Sequence, residues 1–144
     1  MIHQIVLLVE DESIVRNFVT LVLERENFIV LPASNGAEAL EVSRNHIKID
    51  LLLTDVRIGG GMNGIELAEH IVGENPGIKV LVMSGYPDTE IEAAKKHLPF
   101  LRKPFTHADL TSRVRTVLEI PVSSQAARAI DLDQLRRSAP DPVN

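Results

Sequence analysis

Short apolar runs alternate with segments whose apolar residues recur at helical spacing, and the alternation repeats five times. The runs are Ile5-Val6-Leu7-Leu8-Val9, Phe28-Ile29-Val30-Leu31-Pro32, Leu51-Leu52-Leu53-Thr54-Asp55, Ile78-Lys79-Val80-Leu81-Val82-Met83 and Phe100-Leu101-Arg102. Each predicts a strand. After the first run, Ile14, Val15, Phe18, Val19, Val22 and Leu23 predict an amphipathic helix. Ser34 or Asn35 caps a second helix carrying Ala37, Leu40 and Val42. Asn63 precedes a third with Ile65, Ala68, Ile71 and Val72, which Pro76-Gly77 ends. Pro87-Asp88 opens a polar fourth helix reaching about Lys96, and Pro99 marks the entry to the last strand. Thr106 and Asp109 form a capping-box-like pair for a fifth helix with Leu110, Val114, Val117 and Leu118.

Strands that are apolar throughout belong to a sheet buried on both faces, as parallel sheets are. Right-handed crossovers then place helices on both sides. The pattern therefore predicts a doubly wound α/β domain over residues 1–120, with five parallel strands in the flavodoxin-like order 2-1-3-4-5. From Pro121 the pattern weakens. Residues 121–144 read as a tail or linker, with Ile130, Leu132 and Leu135 as a weak helical signal and three basic residues against three acidic ones.

Composition narrows the chemistry. With 144 residues, one domain is the default. Aromatic residues make up 3%, so the core must be aliphatic. The absence of cysteine excludes disulfides, thiol catalysis and cysteine-bound zinc. A net charge of −5 argues against a nucleic-acid surface, which needs clustered Lys and Arg. No apolar stretch approaches the roughly 20 residues of a membrane span. The start, Met1-Ile2-His3-Gln4, has no signal-peptide pattern, so a cytoplasmic protein is expected. The five histidines, His3, His46, His70, His97 and His107, lack metal-ligand spacing and read as surface or boundary residues.

The chemically loaded residues stand at the strand ends. Glu10-Asp11-Glu12 follows the first run, Asp55 closes the third, Ser84 follows the fourth and Lys103-Pro104 follows the fifth. In an open α/β sheet those ends share one edge, where ligands bind. A first loop made of acids repels phosphate but suits a hard cation such as Mg²⁺. A carboxylate beside such a metal can attack phosphorus. The rest of the loop after Asp55 is Val56-Arg57-Ile58-Gly59-Gly60-Gly61-Met62-Asn63-Gly64, which leaves room beside the carboxylate. Taken singly, each residue has an ordinary role: a capping acid, a turn aspartate, a solvated lysine, a turn serine.

Taken in order, these segments resemble the receiver domain of two-component response regulators. The resemblance runs from about His3 to Glu119. It rests on Leu8-Val9-Glu10-Asp11-Glu12, Leu53-Thr54-Asp55, Met62-Asn63-Gly64-Ile65-Glu66-Leu67, Val82-Met83-Ser84-Gly85-Tyr86 and Arg102-Lys103-Pro104-Phe105. It implies that Asp55 is the phosphoacceptor. Glu10, Asp11, Asp55 and the backbone carbonyl of Arg57 would bind Mg²⁺, and Lys103 would pair with phosphoryl oxygens. Ser84 would move to bond the phosphoryl group while Phe100, the switch aromatic, turns inward. Such a protein regulates rather than acting as an enzyme on other substrates, and catalyses its own phosphorylation and dephosphorylation. Its implied partners are a sensor histidine kinase or histidine phosphotransfer protein and a downstream protein target, with the chain a monomer or weak dimer.

Some positions depart from the family's usual pattern. Gly59 replaces a proline and the loop is one residue longer. Gly85 stands where alanine is common, a glycine variant similar to that of receivers attached to sensor kinases. Phe100 replaces the commoner tyrosine. Arg57 and Tyr86 occupy positions that in the family influence dephosphorylation. Two rival readings fit less well, the first for want of a proton donor and the second because Glu10, Asp11, Asp55, Ser84 and Lys103 are all present. In an aspartate-nucleophile phosphohydrolase a second aspartate would stand where this chain has Arg57. A degenerate receiver would act only as a protein-binding module.

Overall fold

The computed structural model describes residues 3–46 and 48–120; the expected tail lies outside them. The elements are β1 (Ile5–Val9), α1 (Ser13–Arg25), β2 (Ile29–Ala33), α2 (Gly36–Arg44), β3 (Leu51–Asp55), α3 (Gly64–Glu74), β4 (Lys79–Ser84), α4 (Pro87–Lys95), β5 (Phe100–Arg102) and α5 (His107–Leu118). All strand pairs are parallel, and the sheet order is β2-β1-β3-β4-β5, as expected. Two strands are bounded differently from their apolar runs. β2 and β4 each begin and end one residue later, because pairing rather than apolarity sets where a strand stops.

Successive strand residues point to opposite faces, which divides the core in two. Leu7, Val9 and Leu52 face α2, α3 and α4, packing against Ala39, Ile65, Ala68, Ile71 and Ala93. Val6, Leu8, Leu51, Leu53, Leu81 and Met83 face α1 and α5, packing against Val19, Val22, Leu23, Leu110 and Val114. β1 and β3 are central and buried along nearly their whole length, which is why both could be read as continuous apolar runs.

The helix termini follow the local chemistry. Asn35, not Ser34, is the α2 N-cap, its side chain accepting from the Glu38 N–H at 2.8 Å. Asn63 with Glu66 and Thr106 with Asp109 form complete capping boxes. Two expected apolar faces are corrected. In α2 the buried residues are Gly36, Ala39 and Ser43, with Leu40 and Val42 only partly covered and Ala37 exposed. In α1 the stripe is wider than the sheet can cover: Val19, Val22 and Leu23 are buried, whereas Ile14 is 83% exposed and Phe18 43%. All five histidines are exposed.

Candidate functional site

The switch between β1 and β3 brings the acidic residues together. β1 and β3 pair through Val9 and Thr54, so the residues that follow them, Glu10 and Asp55, emerge side by side. A carboxylate oxygen from each of Glu10, Asp11 and Asp55 lies within 4.8 Å of the others. Glu10 is fully buried, Asp55 is 9% exposed and Asp11 is exposed. Lys103 reaches in from the end of β5. Its Nζ donates to Glu10 Oε1 at 3.0 Å and to Asp55 Oδ2 at 2.9 Å. The Lys103–Pro104 peptide is cis, and the Lys103 N–H donates to the Ser84 carbonyl at 2.8 Å, anchoring this turn to β4.

Charge and burial work against each other here. Burial holds the Glu10 carboxyl above its ordinary value, despite hydrogen bonds from Lys103 and the Glu12 N–H. Burial also disfavours the Lys103 ammonium, but its hydrogen bonds to Asp55 and Glu10 outweigh that and hold its pKa above the usual lysine value. Three carboxylates facing one ammonium leave a surplus of negative charge. The donor set is all oxygen and partly open through Asp11, which fits a hard divalent cation rather than a soft one.

The loop beyond Asp55 takes its shape from its glycines. Gly59, Gly60 and Gly61 have φ of 68°, 77° and 87°, a region costly to other residues. The Arg57 side chain leaves the carboxylates. Its guanidinium carbon sits 3.8 Å from the Tyr86 ring centroid, and Nη2 lies 3.4 Å from Asp88 Oδ2.

Ser84 ends β4, the neighbour of β3, and is 1% exposed. Its hydroxyl is bonded to the Thr89 hydroxyl and donates to the Tyr86 carbonyl at 3.0 Å. Phe100 is half-buried against the α2–α3–α4 side of the core. The Arg113 guanidinium donates twice to its carbonyl, at 3.1 and 2.9 Å.

Two contributors, Arg16 and Thr89, carry no signal in the sequence, and a third, Gly64, carries one without its role. Arg16 of α1 donates to the Glu10 carbonyl at 2.7 Å, fixing the acidic loop. Thr89 holds Ser84. Gly64 packs against the Asp55 backbone so closely that a Cβ there would overlap the Asp55 carbonyl. Only Gly64, inside the Met62–Leu67 segment already singled out, carried any local signal.

The family model described as the response regulator receiver domain matches residues 6–115. The chain belongs to this family. CpdR, a response regulator receiver protein of Brucella abortus, is 32% identical over 119 residues, covering 78% of this chain and 95% of CpdR. A cyclic di-GMP phosphodiesterase of Thermotoga maritima is 39% identical over 121 residues, 76% of this chain, but the chain spans only 32% of that protein's length. Among solved structures, a receiver domain protein from Clostridium thermocellum aligns with a TM-score of 0.73 at 28% identity, covering 81% of this chain and 94% of its own. The receiver domain of the hybrid histidine kinase CckA aligns with a TM-score of 0.66 at 31% identity, covering 79% of this chain and 98% of its own. The protein is thus a receiver of two-component signalling, and no helix among its described residues is long and apolar enough to cross a membrane.

Proposed function

We propose that the receiver accepts a phosphoryl group on Asp55 from a phosphohistidine of a sensor histidine kinase or histidine phosphotransfer protein, and that residues 1–120 form the working unit. The observation that carries this reading is the placement of Asp55 within hydrogen-bond reach of Lys103 and beside Glu10 and Asp11.

The reaction needs little from the protein beyond positioning and charge. An Asp55 carboxylate oxygen attacks phosphorus. The new O–P bond forms as the donor's N–P bond breaks, and the electron pair returns to the donor imidazole nitrogen. Lys103 holds Asp55 in place and stands ready to pair with a phosphoryl oxygen. Glu10, Asp11 and Asp55, with the Arg57 carbonyl, would hold Mg²⁺, which when bound offsets repulsion between Asp55 and the phosphoryl oxygens. Ser84 would then give its hydroxyl to the phosphoryl group.

Two surfaces suit the partners. Ile14, Val15, Phe18, Pro104 and Phe105 line an apolar cleft together with Lys103, which connects it to the acidic site and makes it a docking face for the phosphodonor. The uncovered part of the α1 stripe, Ile14 and Phe18, thereby acquires a purpose. On the other side, Arg102 of β5 clamps Glu90 of α4 through two bonds of 2.9 Å, and Arg113 of α5 grips the Phe100 carbonyl. A movement of Ser84 and Phe100 would be transmitted to this α4–β5–α5 face, which a downstream protein target would read.

Intact mass after incubation with acetyl phosphate tests the reading. A single phosphoryl gain is expected in wild type with Mg²⁺. None is expected without the metal or in Asp55→Asn. No gain in folded, metal-supplied wild type would favour a phosphorylation-independent binding module instead.

The Arg57–Tyr86 stack bridges the loop after β3 and the start of α4. It restricts the path of water to phosphorylated Asp55. Arg57→Ala or Tyr86→Ala is expected to shorten the phosphorylated lifetime about fivefold, a barrier change of ~1 kcal/mol. Decay of the phosphorylated mass after donor removal measures it. A wild-type half-life of seconds would argue against the shielding role.

A further inference from the structure

The Ser84 hydroxyl is held by a residue with no part in the chemistry. Thr89 lies five positions further on, in the first turn of α4, and is 5% exposed. Its hydroxyl is bonded to that of Ser84 and donates to the Tyr86 carbonyl at 2.7 Å. Ser84 also reaches that carbonyl, at 3.0 Å. Each hydroxyl has one proton, so two protons serve three contacts. Whether the Ser84 proton goes to the Thr89 hydroxyl or to the Tyr86 carbonyl, these contacts direct it toward the start of α4.

The Tyr86 carbonyl is oversupplied. Besides the two hydroxyls, it faces the Thr89 N–H at 3.1 Å and the Glu90 N–H at 3.2 Å. Four groups able to donate surround an oxygen with two lone pairs. If Ser84 leaves, the carbonyl keeps three donors and Thr89 keeps its bond to the carbonyl. No buried polar group is orphaned, so the departure avoids the large penalty of an unpaired group. Ser84 is therefore held by a bond that is specific but cheap to surrender.

We propose that Thr89 is a positioning residue that retains the Ser84 hydroxyl in the resting state and sets how readily it is released to a phosphoryl group on Asp55. This rests on the functional reading above, in which Ser84 moves to bond that group. Removing the Thr89 hydroxyl biases the equilibrium toward the released state before any phosphoryl group arrives.

The test is titration of the full chain with beryllofluoride, a phosphoryl analogue, in saturating Mg²⁺, followed through the amide resonances of Ser84 and Tyr86. Thr89→Val is expected to bind the analogue roughly fivefold more tightly, the effect of one net hydrogen bond. Thr89→Ser, which keeps the hydroxyl, is expected to match wild type. In a Ser84→Ala background, Thr89→Val is expected to change nothing, a silence that a general packing effect would not produce. Thr89→Ala serves in place of valine if melting curves show that the valine variant is unfolded. Unchanged or weaker binding by the hydroxyl-free variant, or an effect that persists without the Ser84 hydroxyl, would overturn the inference. Wild-type protein that does not respond to the analogue at all would remove the phosphoacceptor reading and this inference together. A responsive wild type with a silent Thr89 removes only the latter.

Discussion

Lys103→Met is expected to strengthen divalent-cation binding about tenfold, because it removes the one positive charge competing for the carboxylates, and to slow phosphoryl transfer to Asp55 at least about a hundredfold. The two effects have opposite signs and one cause. Lys103 Nζ sits between Glu10 and Asp55, at 3.0 and 2.9 Å. Methionine fills much of the same volume but leaves Glu10, Asp11 and Asp55 with no cation of their own. A divalent ion then meets three carboxylates and no rival. During transfer, however, nothing replaces the ammonium beside the phosphoryl oxygens. Calorimetric titration with Mg²⁺ measures the first effect and the rate of phosphoryl mass gain the second. Weaker cation binding in the variant would show that Lys103 shapes the site instead of competing for it.

The same substitution changes how the metal-free fold responds to pH. Glu10 is already held above its ordinary value of 4.5, by burial in the first place, with Lys103 the principal opposing influence. Loss of Lys103 raises it further. A carboxyl that binds its proton more tightly folded than unfolded stabilises the fold at low pH. That contribution is lost as pH rises through the folded-state value. Lys103→Met is therefore expected to lose more stability than wild type as pH rises above 4.5, and to recover it when Mg²⁺ is added. Melting temperatures across pH, with and without the metal, decide this.

Gly64→Ala is expected to destabilise the protein by about 3 kcal/mol, the upper range for forcing a group into a filled space. For a domain of this size that is a fall of roughly 10 °C in melting temperature. The added Cβ would overlap the Asp55 carbonyl oxygen, and the Asp55 carbonyl carbon and Thr54 Oγ1 lie only 2.9 and 3.0 Å away. Relief is blocked on both sides. Asp55 is fixed by pairing with β4, and the Gly64 N–H is bonded to the Val56 carbonyl at 2.7 Å. The strain therefore falls on the backbone that aims Asp55, and phosphoryl transfer should decline with stability. Gly73→Ala is the control. Gly73 lies inside α3 with nothing near its missing side chain, so alanine there should stabilise by about 0.5–1 kcal/mol. If both substitutions destabilised equally, the loss at Gly64 would not come from the Asp55 contact.

How far the chain could be read depended on whether the determining interaction was local. The capping boxes of Asn63 with Glu66 and Thr106 with Asp109 lie within four residues and were partly visible in the sequence. So was the glycine-rich loop, whose three positive φ angles explain a run of three glycines. The strand ends were visible as well, because each chemical residue directly follows an apolar run. Thr89 was not, because a threonine in the first turn of a helix looks the same whether it caps, packs or holds a hydroxyl from a neighbouring strand. Arg16 was hidden in the same way among the polar positions of α1. Ile14 and Phe18 were misplaced because periodicity tells which side of a helix is apolar, not how much of that side the sheet can cover.

The sequence alone therefore determined the element order, the parallel five-stranded topology and the residues standing at the carboxyl edge, since these follow from hydrophobic period and the handedness of crossover connections. The tertiary structure alone decided which atoms meet there. It put Lys103 between Glu10 and Asp55, bound Ser84 to Thr89, seated Gly64 against the Asp55 backbone and left Ile14 and Phe18 of the α1 stripe exposed. The physical reason is range. Secondary structure responds to neighbours a few residues away, whereas these contacts join separate elements and depend on strand register and side-chain reach, which are set only when the sheet and its helices pack.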